Sequence, residues 1–147
     1  MFTPESGTIE LEFFRDQPTL CILVQCAEAM DTEGDRENDD RTKIRIDGIP
    51  FAGASHRDLS SVRFSETEIT TNEILEGSIY HCGYHNPIDF RMIRVVKIHK
   101  GAVLLDAQGT IDFTYEGLAR LGKPTLQMRL SLACDFDRFD EMCSNGP

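Results

Sequence analysis

The stretch whose reading decides the fold is IDFRMIRVVKIHKGAVLLDAQGTIDFTYEGLARLGKPTLQMRLSLAC, residues 88–134. Ile88 to His99 has the length and composition of a long strand, apolar on both faces around Ile93, Val95 and Val96. Lys100-Gly101 supplies a tight turn into Ala102–Asp106, and Ala107-Gln108-Gly109 reads as a second turn into Thr110–Tyr115. In that third run Ile111, Phe113 and Tyr115 share a face by period two. A segment bounded by Gly117 and Gly122 has room for one helical turn. Beyond it Leu126, Met128, Leu130 and Leu132 alternate with Gln127, Arg129 and Ser131. The expectation is a four-stranded antiparallel meander.

Working outward, the same period recurs. Ile9, Leu11 and Phe13 alternate with Glu10 and Glu12, the pattern of a strand with one buried and one wet face. Leu20 to Val24 is continuously apolar, and Arg15-Asp16-Gln17-Pro18 between the two runs predicts a hairpin. Ile44 and Ile46 alternate with Lys43, Arg45 and Asp47 before Gly48, marking another strand. Gly48 to Ala54, with Phe51 at its centre, reads as a bulge packed at the edge of the core. Residues 65–77 suit either helix or strand: Thr70-Thr71-Asn72-Glu73 resembles a capping box, yet the Thr and Ile content favours strand. Ser78–Cys82 predicts a strand ending at Gly83, and Asp135 is placed to N-cap a short helix carrying Phe136 and Phe139. The fold class expected is mainly β, with a β-rich α+β variant: an antiparallel sandwich or open barrel, a C-terminal meander and one or two short helices. All 147 residues fit one domain, with 28–41 as an acidic loop inside it.

Charge narrows the function classes. The net charge is −10, and half of it lies in residues 28–41, where seven acidic residues meet two arginines. The segment 88–134 is locally basic at +3, and pairing with the acidic ends of the chain is the expected use of that charge. A chain of this balance is a poor match for nucleic acid, whose binders neutralise phosphates with Lys and Arg, or for an anionic membrane. It suits a basic protein partner. No basic stretch followed by an apolar run opens the sequence, and five cysteines at irregular spacing do not form a disulfide framework, so a cytoplasmic protein with reduced thiols is expected.

Three readings of function follow. The first is a non-enzymatic binding protein that docks a basic protein, as inhibitor or immunity-type proteins do, with Asp31, Glu33, Asp35, Glu37, Asp39 and Asp40 as the partner-binding residues and no cofactor. The run is not a calcium loop, because Arg36 stands where an EF-hand needs glycine and Thr42 where it needs glutamate. The second is a small metal-binding protein or enzyme centred on His81, Cys82 and His85, with zinc as the metal, because thiolate and imidazole are zinc's preferred ligands. A shared metal requires the chain to bend at Gly83, since a strand sets His81 and His85 about 13 Å apart. As a nucleophile, Cys82 would be served across the turn by His85, because neighbours on a strand, such as His81 and Cys82, face opposite ways. Ser55-His56 and Ser60-Ser61 near Asp58 lack the glycine elbow of a serine hydrolase. The third reading is an adaptor or oligomer subunit pairing through a sheet edge; monomer and homodimer are equally compatible with the sequence.

Overall fold

The computed structural model describes residues 2–27 and 41–147. Eight strands form one sheet in the order β4-β6-β5-β3-β2-β1-β8-β7, and a further pairing of β6 with β7 closes seven of them into a barrel. The fold is mainly β with short helices, as the sequence predicts, but the barrel is closed rather than open.

Strand β1 (Thr3–Phe14) and β2 (Gln17–Ala27) make the expected hairpin. Its two-residue turn is Arg15-Asp16, with both φ values positive (49° and 64°), the twist that suits a tight hairpin. Strand β3 (Lys43–Pro50) pairs with β2 through a bulge at Asp47-Gly48, where Gly48 has φ +72°. A β-carbon on Gly48 would lie 2.3 Å from the Ile74 carbonyl oxygen, so the position is closed to other residues on two counts. Phe51 then turns inward and meets Phe139 edge-on at 5.3 Å, as the reading of a bulge packed against the core requires.

Between β3 and β5 lie a 3-10 turn (His56–Ser61), the three-residue strand β4 (Arg63–Ser65) and helix α1 (Glu66–Thr70). The capping box is Ser65 with Glu68, not Thr70 with Glu73, so the helix ends where the sequence suggests that one begins. Asn72 explains the stop: its side-chain oxygen accepts from the backbone N–H groups of Ile74 and Leu75, turning the chain into β5 (Glu76–His81).

The 88–134 meander has three strands rather than four: β6 (Tyr84–His99), β7 (Ala102–Ile111) and β8 (Thr125–Ala133). Ala107-Gln108-Gly109 runs straight through the middle of β7, opposite Ile93, Met92 and Phe90. Gly109 is there for closeness, because a β-carbon would stand 2.7 Å from the Asp89 carbonyl oxygen. Two bulges in β6 leave Arg91 and Val96 without cross-strand partners, so Val95 is buried while its neighbour Val96 is exposed. Strand β7 stops at Ile111, so Phe113 is fully buried while Tyr115 is 73% exposed and does not share its face. Two of the basic groups pair inside the meander rather than with the acidic ends of the chain: Arg94 with Asp106 at 2.8 Å and Lys123 with Asp112 at 3.7 Å.

Strands β1 and β8 meet in parallel at the bridge pair Thr8 with Ala133. Inward residues from every wall, among them Ile9, Ile22, Ile46, Ile79, Leu105 and Met128, fill the interior. Helix α2 (Phe136–Asn145) follows β8, with Asp135 as N-cap as expected. Among the described residues no helix is long and apolar enough to cross a membrane.

Candidate functional site

The strand directions give the barrel two ends. One holds the Arg15-Asp16 turn, the bulge of β3 and the start of β5; the other holds Phe2, Thr42, the Cys82-Gly83 turn and Phe113. Each end carries a distinct set of chemically capable side chains.

At the first end is a groove of about 520 Å³ lined by Glu12, Asp47, Glu73 and Glu76, with Phe14 and Ile74 among its walls. Phe14 and Ile74 are exposed (44% and 38%), so the acidic groove has an apolar rim. Asp47 and Glu76 are direct cross-strand partners in the β3–β5 register. Like charges placed opposite one another on a sheet are destabilising, so this pairing opposes folding. Arg45 offsets part of that cost by donating from Nε to the Asp47 carboxylate at 2.7 Å, and the carboxylate in turn raises the Arg45 pKa. Arg15 lies on the same groove with its guanidinium 5.2 Å from the centre of the Phe14 ring, a cation resting on the aromatic wall.

Beneath the groove is Cys21. Ligand atoms of Glu12, Cys21 and Asp47 lie within 4.8 Å of one another, the only such group of three among the described residues. Burial, and then a hydrogen bond to Asp47, push the Cys21 thiol up to about 12. Asp47 is already engaged by Arg45, so the groove suits an organic cation better than a metal ion.

At the second end the structure brings together two of the three residues singled out there. His81 is 4% exposed and Cys82 is exposed, with Sγ 3.3 Å from His81 Nε2. Strand alternation does not separate this pair, because Cys82 is outside β5: it is the first residue of a two-residue turn, with φ +52° followed by Gly83 at +80°. The left-handed backbone swings the thiol back over the preceding imidazole. His85 is exposed on β6 opposite Tyr80 and completes no three-ligand cluster with His81 and Cys82. On its far side His81 Nδ1 lies 2.6 Å from the buried Thr42 hydroxyl, and the ring is edge-on to Phe2 at 4.7 Å and to Phe113 at 6.4 Å.

The serine, histidine and aspartate candidates of residues 55–61 have structural roles. Ser55 and Asp58 cap the 3-10 turn, and His56 binds Asp140 of α2 while stacking on Phe136 at 4.1 Å. Asp31, Glu33, Asp35, Glu37, Asp39 and Asp40 lie outside the described residues. Sequence reasoning missed Glu73, Glu76 and Asp47 as a set, since only the register of β3 on β5 unites them; the exposed position of Glu12 on β1 was the one visible sign. Comparison with protein-family models, curated proteins and solved structures finds no match to this chain.

Proposed function

We propose that this protein is a non-enzymatic acidic binding protein that docks a basic protein partner, in the manner of an inhibitor or immunity-type protein. The observation that carries the proposal is the groove in which Asp47 and Glu76 face each other against the interest of folding, beside Glu12 and Glu73 and beneath Phe14 and Ile74. A Lys or Arg side chain of a partner neutralises that opposition, and its aliphatic stem finds an apolar rim to lie on. Arg15 on Phe14 is an example, from within the chain, of the group that such a surface accepts. The charge of −5 in residues 28–41 adds to a field that speeds encounter with a basic surface. Closure of the barrel leaves the three-residue β4 as a short edge, which offers little backbone for another chain to pair with.

The test is affinity capture from the native cell with the wild-type chain and with the triple variant Glu12→Gln, Glu73→Gln, Glu76→Gln, followed by association kinetics with the captured protein. The expected partner is basic and is lost or much weakened with the variant. Its association rate falls by about 10-fold or more from low to high ionic strength. A partner that binds the variant equally well, at a rate indifferent to salt, overturns the proposal.

A further inference from the structure

Cys82 occupies a position of the hairpin that two-residue turns usually give to Asn, Asp or Gly, since the left-handed conformation disfavours other side chains. What the thiol gains there is contact with a base. His81 Nε2 faces it at 3.3 Å, and the other ring nitrogen is held by Thr42 at 2.6 Å. Phe2 and Phe113 fix the plane of the imidazole, and the ring is 4% exposed, so its orientation is set by the fold. A nucleophile beside a base that a third group orients is the arrangement by which an otherwise weak nucleophile is activated. The other four thiols are more enclosed, Cys21, Cys26 and Cys134 buried and Cys143 half-buried. Burial raises Cys21 to about 12 and Cys26 and Cys134 to about 11, and it raises Cys143 as well.

We infer that Cys82 is a site of thiol–disulfide exchange with small disulfides, with His81 as its base and Thr42 as the positioning residue. Sγ of Cys82 gives its proton to His81 Nε2 and attacks one sulfur of the disulfide. The S–S bond breaks, a mixed disulfide forms on Cys82, and the departing thiolate takes the proton from the imidazolium. One half of the small disulfide ends bonded to the protein and the other half leaves reduced, with no proton or electron left over. In this sequence Nδ1 carries hydrogen and the Thr42 oxygen accepts it, which keeps the Nε2 lone pair turned toward the thiol. Given the net charge of −10, a cationic disulfide is the better substrate.

Cystamine is the appropriate probe, with intact-mass and peptide-mapping analysis of the full chain. The comparator is a free peptide of residues 78–84, which contains His81 and Cys82 without their geometry. The expected result is one adduct, on Cys82, formed about 10-fold or more faster than on the peptide. Cys82→Ser abolishes it. Thr42→Val and His81→Gln slow it by about tenfold while far-UV circular dichroism is retained. A rate on the folded chain equal to that on the peptide overturns the inference, and so does equal labelling of Cys143. If either buried variant fails to fold, the comparison of wild type with peptide still decides.

Discussion

Asp47 and Glu76 hold the sharpest conflict between local and global preference in the chain. Each is an ordinary surface residue in the sequence, and only their register makes them opposed. Removing the opposition while keeping shape isolates its cost. Glu76→Gln is expected to raise stability by about 0.2–1 kcal/mol in urea denaturation and to weaken partner binding at the same time. A variant that loses stability instead would mean that Glu76 has a folding role not seen in its contacts. Cys82 shows the complementary lesson. Alternation along a strand would set it away from His81, but β5 ends at His81 and Cys82 with Gly83 forms the turn. A turn residue has no face.

Among elements, the hairpin of β1 and β2, the strand β3, the long β6 and the capped helix α2 were legible because their signals are local: alternation, a two-residue turn and an Asp cap. The misread places depend on partners. Gly109 resembles a turn glycine, yet it serves the close approach of β6 to β7; Thr70-Thr71-Asn72-Glu73 resembles a helix start, yet Ser65 with Glu68 had claimed the helix one turn earlier. The acidic groove was illegible for the same reason, since its carboxylates come from three separate segments. Helix α2 has one tie that no sequence pattern announces: Asp140 accepts from the His56 backbone N–H at 2.6 Å and from its ring at 2.8 Å. Those bonds lower the Asp140 pKa from 3.8, the backbone bond foremost. A carboxyl lowered in the folded state contributes stability above its unfolded value, and that contribution is lost as pH falls through the folded one. Acid titration below pH 3.8 is therefore expected to loosen α2 from the 3-10 turn in wild type, and the loss should be absent in Asp140→Asn, which is already weakened at neutral pH. Circular dichroism with the His56 ring signals followed by NMR reads both.

For the molecule as a whole, the decisive contact is the seam between β1 and β8, a parallel junction in the barrel wall that meets at Thr8 and Ala133. Gly7 sits at that seam, and a β-carbon there would lie 2.6 Å from the Leu23 carbonyl oxygen and 2.7 Å from Leu132 Cδ2. Gly7→Val is expected to destabilise by about 1–3 kcal/mol, as overpacking does, with an earlier urea midpoint. Insensitivity to this change would show that β1 and β8 have room to part without loss. Closure also fixes where the chemistry stands, because a closed wall separates the carboxylate groove from the Cys82 turn along the strand axis. The most accessible thiol thus points away from the carboxylates. A chain tethered to a solid support through Cys82 is held by its base, with every copy presenting the groove outward in the same attitude, so the molecule carries its own handle for oriented display.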